Sequence, residues 1–172
     1  MKNLPCIGLF GTCGASRWRD PFIAAYRERG IRYFNPQVDN WSPELADIEA
    51  QHLKRDEIVL FPITGETYGT GSLAETGFSL LQAVSSNSTR FVVYFIEAVL
   101  DEALAADPVA HQESLRARRL VTAHLRENVH PNAFLAASLD DMLETSLRLY
   151  TVVNELNQIR GPGTGPRLAR SA

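Results

Sequence analysis

The feature that most constrains this chain is Phe91-Val92-Val93-Tyr94-Phe95-Ile96, an apolar run with no charged or amide side chain to face water. A strand with one wet face alternates apolar and polar residues, so an unbroken run of this kind reads as a strand covered on both sides. It predicts a central strand of a parallel sheet layered between helices. Cys6-Ile7-Gly8-Leu9-Phe10 and Glu57-Ile58-Val59-Leu60-Phe61 have the same character, and residues 31–34 and 133–136 are shorter candidates.

Helical spacing fills the intervals. Residues 20–29 place Phe22, Ile23 and Tyr26 on one face before Gly30, and Ser42-Pro43-Glu44 opens a helix expected to reach Lys54, with Ser as its cap. Leu73 to Ala83 is periodic, and 97–128 divides into two helical pieces at Asp107-Pro108. Ser138 caps a last helix bearing Leu139, Met142, Leu143, Leu147, Leu149, Tyr150 and Val153. Five strands alternating with helices imply right-handed crossovers and an α/β doubly wound five-stranded parallel sheet, flavodoxin-like in its order 2-1-3-4-5, with helices on both faces. One domain is expected over 1–159. Residues 160–172, with Gly161-Pro162-Gly163-Thr164-Gly165-Pro166, have little to bury and are expected to form a flexible tail.

Charge narrows the partners. The formal net charge is −3 and no run of Lys and Arg forms a basic stripe, which argues against nucleic acid. No stretch approaches the roughly 20 apolar residues of a membrane span, and the apolar run after Met1-Lys2-Asn3-Leu4-Pro5 is too short for a signal peptide, so a cytoplasmic protein is expected. Cys6 and Cys13 make neither a metal spacing nor a disulfide framework, and His52, His111, His124 and His130 show no ligand spacing, so neither metal nor cofactor is expected. Arg116, Arg118 and Arg119 read as a solvated helix face.

In doubly wound sheets ligands bind past the carboxyl ends of the strands where the strand order reverses, here between the first and third strands. Two loops meet there. Gly11-Thr12-Cys13-Gly14-Ala15-Ser16 offers amides and hydroxyls to a phosphate or sugar, or is simply a structural turn; it is neither GxGxxG nor a P-loop. Gly69-Thr70-Gly71-Ser72-Leu73-Ala74-Glu75-Thr76-Gly77 puts a carboxylate near a helix N-terminus, which favours the ionised form, and Gly77 leaves room beside it. Glu75 then is either a nucleophile or an acidic residue complementing the helix dipole.

The Gly-rich turn, then Gly, three residues, Glu, one residue and Gly resembles the nucleophile motif of nucleoside 2-deoxyribosyltransferases and the related deoxynucleoside monophosphate N-glycosidases, with Glu75 at the nucleophile position. Asp56, just before the third strand, resembles the family's acidic residue there, and Leu9-Phe10-Gly11-Thr12 its sugar loop. Residues 34–41, Phe34-Asn35-Pro36-Gln37-Val38-Asp39-Asn40-Trp41, are similar to one branch of the group. Where the family usually has Asp or Ser, six residues before the nucleophile, this chain has Gly69, which turns attention to Thr70 or Glu66. For the family's first-loop aromatic the candidates are Phe10 and Trp18. The motif is also similar to that of lysine-decarboxylase-like phosphoribohydrolases, without their Pro-Gly-Gly opening.

The resemblance implies cleavage or transfer of an N-glycosidic bond of a (deoxy)nucleoside or nucleoside monophosphate. Glu75 would attack the sugar and Asp56 would protonate or orient the base. Gly11, Thr12, Ser16, Gly69, Thr70, Gly71 and Ser72 would hold the substrate, with Trp41 and Tyr68 as stacking candidates. It also implies a homo-oligomer, a dimer, in which a neighbouring subunit closes the site with residues such as Asn132-Ala133-Phe134. The competing reading is the same fold as a sensor that binds a nucleotide or nucleotide sugar without turnover.

Overall fold

A computed structural model describes residues 4–38, 42–85, 90–127 and 130–160, with the side chains of 78–85 and 160 outside the description. The strands are β1 (Cys6–Leu9), β2 (Arg32–Phe34), β3 (Ile58–Ile63), β4 (Phe91–Ile96) and β5 (Ala133–Leu135). The helices are α1 (Arg19–Glu28), α2 (Pro43–Arg55), α3 (Thr70–Ser85), α4 (Pro108–Glu127) and α5 (Leu139–Arg160), with a 3₁₀ turn over Glu102–Ala106. All strands are parallel in the order β2-β1-β3-β4-β5. The middle place belongs to β3, buried along its whole length, while β4 lies one position toward the edge, between β3 and β5.

Strand periodicity divides the core in two. Ile7, Leu9, Ile58, Leu60 and Val93 point to one side, where Phe22 and Tyr26 of α1 and Met142, Leu149 and Val153 of α5 cover them. Val59, Phe61, Val92 and Tyr94 point to the other, with Phe10, Leu53 of α2 and Leu125 of α4. Both faces are dry, which is why the strands lack polar alternates.

The helix starts show where local signals held. Ser138 Oγ accepts from the Asp141 amide at 3.1 Å and Asp107 Oδ1 from the Ala110 amide at 3.1 Å, both as caps. Ser42 occupies the cap position of α2 in an extended conformation, but its side chain makes no capping bond; Pro43 supplies the start instead. The helix expected from Leu73 begins earlier, at Thr70, so Gly71 and Ser72 lie in its first turn. The expected tail lies outside the described residues apart from Arg160, which ends α5.

Candidate functional site

A cavity of about 760 Å³ opens at the carboxyl ends of β1 and β3. Its walls are Gly11–Gly14, residues 36–38, Thr67, residues 69–72, and the two carboxylic side chains Glu49 and Glu75. Gly11, Thr12, Gly69, Thr70, Gly71, Ser72 and Glu75 are thus brought together, as the motifs imply.

The loop after β1 is tied to the loop after β3. The Thr12 amide donates to the Pro62 carbonyl at 2.9 Å, and Thr12 Oγ1 donates to the same oxygen at 3.3 Å while accepting from the Thr64 amide at 2.9 Å. The Thr12 side chain is therefore spent inside the fold, and its residue meets the cavity through backbone. Gly11 has φ +94°, and a Cβ there would sit 2.3 Å from the Pro62 oxygen. The close approach that glycine permits is to β3 rather than to a ligand.

Two buried arginines fix these loops from behind. Arg19 of α1 donates to the carbonyls of Leu9 at 2.9 Å and Thr12 at 2.6 Å and to Gln37 Oε1 at 3.2 Å; Gln37 Nε2 in turn donates to the Gly14 carbonyl at 2.9 Å. Arg118 of α4 donates to the carbonyls of Ile63, Glu97, Thr64 and Thr67 at 2.8–3.0 Å and to Ser114 Oγ at 3.2 Å. It is 1% exposed, which corrects the expectation of a solvated arginine face; Arg116 and Arg119 alone conform to it. The signal for Arg118 was the i, i+4 spacing of Ser114 and Arg118, which puts both on the inward stripe of α4.

Arg118 also accounts for Gly69. That residue has φ +67°, and a Cβ would lie 2.7 Å from Ile63 Cγ2 and 3.2 Å from Arg118 Nη2. Neither Asp nor Ser is accommodated there without strain.

Several expected site residues stand elsewhere. Ser16 is buried in the wall, its hydroxyl on Thr64 Oγ1 and Glu66 Oε1, both at 3.2 Å, and it does not line the cavity. The Tyr68 hydroxyl donates to the Leu104 carbonyl at 2.9 Å and its ring lines a separate hollow against α4. Phe10 stacks on Phe61, and Trp18 is buried with its Nε1 on the Thr12 carbonyl at 2.8 Å, so neither aromatic faces the cavity. Gly77 is exposed, and a Cβ there would meet no atom within 4 Å, so no neighbouring element packs against it. Trp41 lies outside the described residues.

Asp56 is the largest displacement. It precedes β3, whereas the cavity lies past the far end of that strand, and six residues of strand span roughly 20 Å. There its carboxylate, 3% exposed, meets His52 Nδ1 at 3.0 and 3.2 Å, and Arg90 donates to its carbonyl at 3.0 Å. Burial raises its pKa, against lowering by His52, the Cys6 thiol and Arg90. Burial first, then Asp56, pushes the Cys6 thiol up to about 12. Cys6, His52 and Asp56 thereby gather potential ligand atoms within 4.8 Å of one another, a grouping that residue spacing did not reveal. His52 and Asp56 are hydrogen-bonded to each other, with the Cys6 thiol and the Arg90 cation acting on the same carboxylate.

Glu75 does reach the cavity, half-buried, from the second turn of α3. Its pKa is raised, first by burial and then by the negative charge of Glu49. The expected stabilisation of its anion by the helix N-terminus is outweighed, because that effect fades beyond the first turn. Glu49, from α2, lines the same cavity and belongs to no motif of the chain. It too is raised by burial, with Arg19 acting in the opposite sense.

These features define the class: a parallel α/β domain whose cavity, at the switch point of the sheet, holds two glutamates between two braced loops. The sequence model of the family described as nucleoside 2-deoxyribosyltransferase like matches residues 6–98, and the chain belongs to that family. The match spans β1 to β4, both loops, Glu49 and Glu75; Arg118 lies beyond it. No curated protein matches the chain. Among the described residues no helix is long and apolar enough to cross a membrane.

Proposed function

We propose that the protein cleaves or transfers the N-glycosidic bond of a (deoxy)nucleoside or nucleoside monophosphate, with Glu75 as nucleophile. Family membership supports glycosyl transfer in the broad sense. The observation that carries the finer reading is a glutamate facing a cavity at the switch point, behind a glycine-rich turn and beside a second carboxylate.

A carboxylate oxygen of Glu75 bonds to the anomeric carbon as the carbon–nitrogen bond breaks. The bonding pair leaves with the base, which takes up a proton. Water or a second base then attacks the same carbon, loses its proton, and frees the carboxylate, so two displacements retain configuration. The exposed first turn of α3, Thr70 to Ser72, presents amides without helical partners to the sugar or its phosphate. The reaction written this way uses no cofactor.

The reading is tested by incubating the protein with a panel of nucleosides and their monophosphates and following free base by chromatography. Base release that falls roughly 10³-fold or more in Glu75→Ala is the expected result. Release that persists in the variant would remove Glu75 from the mechanism.

Gly69 favours a second reading. Its left-handed backbone against Arg118 leaves no place for the acid usual at that position, as in a sensor that binds without turnover. A bound nucleotide that the unmutated protein leaves intact would support it. For the assembly, we take a cytoplasmic homodimer in which the neighbouring subunit contributes from the segment around Asn132 and Phe134; Phe134 is 37% exposed on edge strand β5. Light scattering of the full chain measures that directly.

A further inference from the structure

We infer that Cys6 Sγ, His52 Nδ1 and the Asp56 carboxylate form a site for a zinc-class divalent cation at the amino end of the sheet, where the bound ion clips α2 to β1. The site is independent of the proposed reaction, whose cavity opens at the opposite end.

Two elements bring the three side chains together. In β1, Cys6 and Gly8 alternate with Ile7 and Leu9, whose side chains join the core on the α1 and α5 side, so Cys6 and Gly8 face α2. His52 stands in the last turn of α2, and Asp56, four residues on, ends that helix with its amide on the His52 carbonyl at 2.8 Å. A Cβ at Gly8 would come 2.9 Å from Asp56 Oδ2, so only glycine lets the carboxylate lie down on β1. The His52 ring stacks flat on Phe34 of β2, with centroids 3.7 Å apart and planes at 2°, which fixes the direction of Nδ1.

Among the described residues this is the one trio of Cys, His, Asp or Glu whose donor atoms all lie within 4.8 Å of one another. Zinc bonds of about 2.0–2.3 Å in a tetrahedron set their ligands about 3.3–3.8 Å apart. His52 Nδ1 stands 3.0 and 3.2 Å from the two Asp56 oxygens, so admitting an ion asks these groups to part by well under about 1 Å. One sulfur, one nitrogen and one oxygen donor suit zinc and its transition-metal neighbours, whereas magnesium and calcium take oxygen ligands. The thiol proton passes to water as the sulfur–metal bond forms, and thiolate and carboxylate together balance the charge of the dication. Arg90 is directed at backbone: its Nε donates to the Asp56 carbonyl at 3.0 Å and a second nitrogen to the Leu53 carbonyl, bracing the segment that carries the ligands. Cys6 and Asp56 are buried while His52 is partly exposed, so the ion enters past the imidazole and water completes its coordination on that side.

The test uses cobalt(II), whose thiolate complexes absorb in the near ultraviolet and whose tetrahedral sites absorb in the visible. Full-length reduced protein, stripped with a chelator, is titrated with Co²⁺ and then with Zn²⁺ in competition. A single equivalent of Co²⁺ is expected to give both absorptions, and Zn²⁺ to abolish them. The chain has two cysteines, so Cys13→Ser, an exposed change, leaves Cys6 as the only thiol and is expected to keep both absorptions. Cys6→Ser loses the near-ultraviolet band, and His52→Gln, which retains a donor for Asp56, weakens Co²⁺ binding by roughly tenfold or more. Thermal melting establishes that each variant is folded, and Zn²⁺ raises the midpoint of the parent and of Cys13→Ser more than that of Cys6→Ser. A near-ultraviolet band lost in Cys13→Ser, octahedral cobalt with no thiolate band, or equal affinity in the parent and His52→Gln overturns the assignment. The Cys13→Ser spectrum decides the matter even where Cys6→Ser fails to fold.

Discussion

Both ends of the sheet bury carboxylates, and they treat them oppositely. At the amino end Asp56 is met by His52 and by the Cys6 thiol, with Arg90 on its carbonyl. At the carboxyl end Glu49 and Glu75 face a cavity, where burial raises both and the Glu49 charge adds to the rise of Glu75. A buried charge with matched donors knits elements together; one held without them keeps its reactivity for something that enters. In the first case α2, β1 and the approach to β4 are joined. In the second the fold holds a cost in place beside an open volume.

The sharpest way to break this contrast is to remove the support of the carboxyl end while leaving its carboxylates. Arg118→Met strands the carbonyls of Ile63, Thr64, Thr67 and Glu97, and a loss of about 3–5 kcal/mol is expected in denaturant unfolding. A loss below about 1 kcal/mol would mean that the loop after β3 does not depend on that guanidinium.

Asp56→Asn probes the other end. It keeps the shape but weakens the bond to His52, so about 1–3 kcal/mol of stability should go while base release per folded molecule stays within about twofold. If turnover collapses with the melting point intact, the two ends are coupled and the division between them fails.

The smallest effect is in pH. Because the Glu75 pKa is raised in the folded state, its favourable contribution is complete below the ordinary glutamate range and is lost as pH rises through the raised value. Glu49 on α2 and Arg19 on α1 act on the same site. Glu75→Gln should therefore melt higher than the parent by a margin that widens from acid toward neutral pH. A margin that narrows would show that the carboxylate is stabilised as an anion.

The fold was legible because its evidence is distributed: apolar runs without polar alternates, separated by helical spacing, admit few architectures besides a parallel sheet covered twice. Glu75 and the glycine-rich turns were legible because their motif is local. Glu49 was not, since it stands in mid-helix among other exposed-looking charges and acquires its meaning only from what α2 faces. Arg118 is hidden for a related reason: three arginines in four positions resemble a wet face, although one of them shares its stripe with Ser114. Asp56 teaches the plainest lesson. A residue immediately before a parallel strand stands at the end away from the ligand crevice, and that direction was available from the strand order alone.

The bonds between Thr12, Pro62 and Thr64 have one more consequence. They make the two lips of the cavity a continuation of the sheet, so the backbone on both sides loses its conformational freedom when the chain folds. A ligand arriving later meets walls already ordered, and its affinity is not reduced by having to organise them. Such a cavity discriminates by shape already present, and variation in what it accepts would come from the side chains that project into it rather than from rearrangement of the loops that carry them.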